Sequence, residues 1–160
     1  MKINIFRIDD RLIHGQIITG WIGDANAKRI VVIDDLAASD EFQQTILKMA
    51  TPSGIELVVI SSDAAIDYIS NDESNTNTLV LVRSVSVALK LVENGLEIPS
   101  INVGNINMKK GRTKLLSNLW LNEEEVEEFR RLDKLTIKLD LRTVPTDRSQ
   151  NAMTIINKTF

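Results

Sequence analysis

The run Asp9-Asp10-Arg11-Leu12-Ile13-His14-Gly15 gathers the residue types that phosphoryl chemistry needs. His14 is the single histidine of the 160-residue chain. Its neutral imidazole is a nucleophile available near neutral pH. Arg11 offers a planar fork that matches phosphate oxygens. Asp9 or Asp10 is placed to accept the far ring N–H, or a loop amide, and so to fix the tautomer. Gly15 lets the backbone bend closely, and the amides of a helix start form a ready anion site. Phosphoryl transfer asks a protein mainly for positioning and charge stabilisation, and these parts supply both. A plainer reading stays open at this point. The histidine would then be a satisfied loop residue, the aspartates would cap a helix or turn, and Arg11 would pair with them. Metal binding fits poorly, because one histidine and two adjacent aspartates lack a second soft ligand at useful spacing.

The elements that position this loop follow from apolar periodicity. Runs at 3–8, 29–33, 56–60, 78–82 and 100–103 are short, rich in Val and Ile and nearly continuous in apolar character, as strands buried on both faces should be. Helical stretches fall between them at 15–25, 40–50, 64–70 and 85–94. Ser39 or Asp40 caps the second of these helices and Pro52 with Gly54 stops it, while Ser84 caps the fourth and Gly95 ends it. Such βα units predict an α/β fold, an open and mostly parallel twisted sheet with helices on both faces. Residues 112–121 hold short alternating stretches. Asn122, with Glu125 three residues on, opens an acidic helix to about Leu132 whose outer face is solvated. Residues 135–141 alternate apolar and polar side chains, which predicts an edge or antiparallel strand near the C-terminus, ended at Pro145.

In an open parallel sheet, ligands bind outside the carboxyl ends of the strands. His14 falls there, just past the first strand and before the first helix. Asp34-Asp35 and Asn102-Val103-Gly104-Asn105 end strands on the same edge, where most such residues are turn formers. Trp21 and Trp120 read as core or interface anchors. Composition narrows the function further. With 43% hydrophobic and 26% charged residues and a net charge of −3, the chain reads as one globular domain over residues 1–160, unsuited to nucleic acid or an anionic membrane. It has no cysteine, which rules out disulfides and thiolate chemistry and fits a reducing cytoplasm. No run is apolar enough to span a bilayer, and the N-terminus does not read as a signal peptide. Neither dinucleotide nor nucleoside-triphosphate motifs are present.

The stretch Arg7-Ile8-Asp9-Asp10-Arg11-Leu12-Ile13-His14-Gly15-Gln16 resembles the IIB component of the mannose/fructose/sorbose family of the bacterial sugar phosphotransferase system. Val32-Ile33-Asp34-Asp35, Ile101-Asn102-Val103-Gly104-Asn105 and Leu141-Arg142-Thr143-Val144-Pro145-Thr146-Asp147 extend the resemblance through the chain. Asn105 departs from the glycine associated with that position, a change expected not to touch the nucleophile. The resemblance implies an α/β open sheet and a protein-phosphohistidine–sugar phosphotransferase. His14 would accept a phosphoryl group on Nδ1 (pros-phosphohistidine) from a IIA partner and pass it to a sugar bound by membrane IIC and IID components. It implies a phosphate-binding role for Arg11, a loop-organising one for Asp9, and no metal, nucleotide or other cofactor. Asp10 and Gly15 complete the candidate site. A cytoplasmic protein peripheral to the permease is expected, with a homo-oligomer permitted. The alternatives are a receiver-like module phosphorylated on aspartate and a non-catalytic anion-binding protein. Against the receiver, the third strand runs into Ile60-Ser61-Ser62-Asp63 without an immediate acceptor aspartate, and no lysine follows Gly104-Asn105.

Overall fold

A computed structural model describes residues 1–15 and 18–160 in full and, of 16 and 17, only their place in a helix. In chain order the elements are β1 (Lys2–Asp9), α1 (Gly15–Ala25), β2 (Arg29–Ile33), α2 (Asp35–Ala38), α3 (Glu41–Ala50), β3 (Glu56–Ile60), α4 (Ser62–Asn71), β4 (Asn77–Val82) and α5 (Val85–Glu93). They continue with β5 (Ser100–Asn105), β6 (Thr113–Leu116), β7 (Leu119–Leu121), α6 (Glu123–Lys134), β8 (Lys138–Leu141), β9 (Gln150–Asn151) and α7 (Ala152–Thr159). Seven strands form one sheet in the order β3-β2-β4-β1-β5-β8-β9, parallel except for β9, while β6 and β7 make a separate antiparallel hairpin.

Each face of the sheet has its own core. Ile30, Val32, Leu79 and Leu81 meet Leu12, Ile18, Trp21, Ala37 and Leu47, so α1, α2 and α3 cover one face. Ile8, Val31, Val80 and Val103 meet Ala65, Leu89, Phe129 and Ile156, so α4 to α7 cover the other. Valine and isoleucine suit these strands because both faces are packed. From β1 the chain leaves through α1 toward β2 on one side; from β5 it leaves over the opposite face toward β8 on the other. Where neighbouring strands send the chain in opposite directions, a crevice opens at their carboxyl ends. The β1–β5 pair is that place.

The helix starts carry their expected caps. Asp40, not Ser39, accepts from Phe42 and Gln43 N–H at the start of α3, Ser84 accepts from Val87 N–H, and Asn122 accepts from Glu125 N–H. The stretch 135–141 departs from its expectation. Thr136, at φ +62°, closes the end of α6, so only Lys138–Leu141 is extended, and it pairs in parallel with β5. Its alternation arises because Leu139 and Leu141 enter the core, while Asp140, on the other face, pairs with Arg142. The antiparallel strand near the C-terminus is the two-residue β9. The helices α2 and α7 carry too short or too plain a pattern to have been read from periodicity.

Candidate functional site

The site is built on the last residues of β1. Arg7 and Asp9 are two apart on one strand, so their side chains leave the same face. Both are buried to 1% exposure or less. Arg7 NH2 donates to Asp9 Oδ2 over 2.9 Å, and Arg7 NH1 donates to Asn102 Oδ1 and to the carbonyl of Arg142. The guanidinium also lies over the Trp21 ring, 5.0 Å from its centroid, with Arg142 at 5.4 Å from the same ring. Trp21 is therefore a core residue, and its indole N–H donates to the Thr143 carbonyl.

Space for Arg7 comes from β5. Register runs from Ile8↔Val103 to Asp9↔Asn105, so Gly104 is an extra, bulged residue. A Cβ at Gly104 would stand 2.3 Å from the Arg7 guanidinium carbon. Glycine is required here for room. A bulge also re-aims the residues that follow it. Asn105 Nδ2 donates to Asp9 Oδ2 over 3.1 Å. The departure at Asn105 thus reaches Asp9, the group that holds the histidine, and not His14 itself.

Asp9 is the hub. Oδ1 accepts the Arg11 amide at 3.0 Å; Oδ2 accepts His14 Nε2 at 2.9 Å. Burial alone would raise the Asp9 pKa, but the hydrogen bond to His14, the charge of Arg7, the Arg11 amide and Asn105 together hold it below the usual carboxylate range. Arg7 is lowered as well, but for the opposite reason: burial pulls it below its ordinary value, with Asp9 opposing. An ionised carboxylate only accepts hydrogen bonds, so His14 Nε2 is the donor in this pair.

Between Asp9 and His14 the loop is tied on every side. Asp10 accepts from the Asn107 amide and Nδ2, both at 2.8 Å, and its carbonyl accepts from Arg83 NH1 at 3.1 Å. Leu12 adopts φ +56°, a region that costs a side-chain-bearing residue about 1–2 kcal/mol, and buries its side chain beneath the sheet edge together with Ile13. His14 is the N-cap residue of α1 in extended conformation, and its side chain makes no capping bond, so it does not compete for the amides of the helix start. Gly15 follows at φ +45° in open space, so conformation rather than room favours glycine there. Gln16, the last residue of the motif, lies outside the described side chains. Arg11 is half-exposed, its Nε 3.8 Å from Asp9 Oδ1, and stands at the surface.

Of the residues singled out in the sequence, Asp9, Asp10, Arg11, His14 and Gly15 share this site. Asn102 and Asn105 join it from β5. Asp34 caps α2 and pairs with Arg83, and Asp35 accepts from Ser62, so both brace the edge instead of facing His14. Sequence reasoning named Arg7 in the motif without a role and Gly104 only within a stretch at the sheet edge, and it missed Arg83 and Asn107. The available signal was Arg7, a permanent cation inside an apolar strand, two residues from an aspartate.

A family model for the sorbose-subfamily IIB component of the phosphotransferase system matches residues 3–160. The chain belongs to that family. The sorbose-specific EIIB component of Klebsiella pneumoniae is 38% identical over 99% of this chain and 98% of its own. The fructose-specific EIIB component of Bacillus subtilis is 32% identical, covering 98% of this chain and 96% of its own. The mannose-specific EIIAB component of Escherichia coli (strain K12) is 33% identical, and there this chain matches 49% of a longer protein. Among solved structures, the IIBSor domain of the K. pneumoniae sorbose permease superposes with a TM-score of 0.95 at 37% identity, over 100% of this chain and 99% of that one. IIB components are phosphotransferases of the sugar phosphotransferase system, so this chain has a transferase role, and its α/β architecture is that of its relatives.

Proposed function

We propose that this IIB component is a phosphoryl carrier whose acceptor atom is Nδ1 of His14. The observation that carries the reading is the Nε2–Asp9 hydrogen bond, which leaves Nδ1 as the ring nitrogen with a lone pair. In the first step the P–N bond of a phosphohistidine on a IIA partner breaks as a bond to Nδ1 forms, and the donor ring recovers its lone pair. In the second, a sugar hydroxyl held by membrane IIC and IID components attacks phosphorus and gives its proton to solvent or a base of the permease, the P–N bond breaks, and Nδ1 regains its lone pair. Arg11 and the amides of the α1 start meet the phosphoryl oxygens, Asp9 orients the ring, and Asp10 and Gly15 set the loop. No described helix is long and apolar enough to cross a membrane, which fits a protein that meets its permease from the cytoplasmic side.

Incubation with phosphorylated IIA should add one acid-labile, base-stable phosphoryl group. His14→Gln should remove it completely; a His14→Gln protein that still labels sinks the assignment. Base-labile phosphate would favour an aspartyl acceptor instead, a reading that Asp9, buried and committed to four donors, supports poorly.

A further inference from the structure

We infer that Arg7 is a positioning residue that acts on His14 through Asp9, holding the ring neutral and in the Nε2–H form. This rests on the phosphocarrier reading of the same site. A carboxylate 2.9 Å from an imidazole does two things: it orients the ring, and it favours the imidazolium. The second effect would be harmful, because an imidazolium has no lone pair on Nδ1. Arg7 removes it. Its NH2 lies 2.9 Å from the same Oδ2, so the ring meets a neutral Arg–Asp pair that still accepts a hydrogen bond.

The arginine is held in place from several sides. Asn102 Oδ1 and the Arg142 carbonyl take NH1, Trp21 covers the guanidinium face, and the Gly104 bulge leaves the space. Of the other charges around the dyad, Arg83 from the end of β4 pairs with Asp34 and Arg142 after β8 pairs with Asp140, while Asp10 keeps its charge and is hydrogen-bonded by the neutral Asn107. Arg11 carries the remaining positive charge, at the surface. Arg7 is thus the buried cation directly bonded to the carboxylate that holds His14.

Because His14 is the only histidine, long-range proton–nitrogen NMR correlations of the ¹⁵N-labelled protein read its tautomer without ambiguity. The unmodified protein should show mainly Nε2–H above neutral pH. Arg7→Gln should lower that population and move the midpoint of the pH–rate profile for phosphoryl acceptance up by about one unit. Arg7→Lys, which keeps the charge, should restore the midpoint. Gly104→Ala keeps the arginine but fills its space, and should reproduce the Arg7→Gln shift even if Arg7→Gln fails to fold. A mainly Nδ1–H ring in the unmodified protein overturns the inference. So does a folded Arg7→Gln or Gly104→Ala protein with the unmodified tautomer and midpoint. The tautomer is read without any phosphoryl donor, so an unlabelled His14 would count against the carrier reading alone.

Discussion

Two arginines on neighbouring regions of one sheet make the same kind of ion pair and end in different chemistry. Arg29, at the start of β2, bonds Glu56 and Asp72 at the amino edge of the sheet. Arg7, near the end of β1, bonds Asp9 at the carboxyl edge. The Arg29 cluster joins β2, β3 and the end of α4, takes in the N-terminal ammonium, and closes on itself at the surface. The Arg7 cluster is buried and does not close: the aspartate spends one oxygen on a histidine that reaches solvent. Paired charge therefore does not mark a site. What sets the Arg7 pair apart is that its anion is shared with a titratable ring at a strand's carboxyl end.

The largest separation of the two clusters should come from Asp9→Asn. The change is nearly isosteric, yet a neutral amide no longer specifies the ring proton, and transfer to His14 should slow by about a hundred- to ten-thousandfold. A loss under about tenfold would make the dyad incidental. Next, Arg11→Ala removes one charge-assisted phosphate contact worth about 1.5–3 kcal/mol, so transfer should slow by about ten- to a hundredfold while the urea midpoint stays put. Unchanged kinetics would remove Arg11 from the site.

Acid titration probes both clusters together. Asp9 is depressed as described, and Asp72 is held well below the usual range by hydrogen bonds from Ser74 and then Arg29. A carboxyl whose folded pKa lies below its unfolded value stabilises the fold above the unfolded pKa and loses that contribution as pH falls toward the folded one. Stability measured by urea unfolding should therefore be flat at neutral pH and fall below about pH 4. Asp9→Asn should make that fall shallower. The smallest effect is expected from Arg29→Met, which should cost at most about 1 kcal/mol, as partly solvated pairs do, and leave phosphoryl transfer unchanged. A transfer defect there would break the distinction between the two arginines.

Much of the frame was legible because its causes are local. The strand at 29–33 and the helix at 15–25 were read at their observed bounds, since Val/Ile runs and helix periodicity act over a few residues. Ser84 and Asn122 were readable as caps for the same reason. Residues 135–141 hold the strand that was read, but shorter, because Thr136 closes α6. Its parallel pairing with β5 was hidden because one packed face and one ion-paired face imitate the alternation of an edge strand. At the site, His14 and its loop stood out by residue type and were read through family resemblance. The partition of Asp9 to the ring and Asp10 to Asn107 was not legible, because two adjacent aspartates look alike until the neighbouring strand is in place.

The sequence by itself determined the α/β alternation, the position of a lone histidine between the first strand and first helix, and membership of the IIB family. These depend on periodicity, capping and a motif, all written within short stretches of chain. Tertiary structure alone decided how Asp9 is held, because that depends on a bulge at Gly104 between β5 and β1. Arg7 meets Asn102 across 95 positions, and Asp9 meets Asn105 across 96. Contacts of that span exist only once the strands have paired, and they fix the carboxylate to which the loop histidine is bonded.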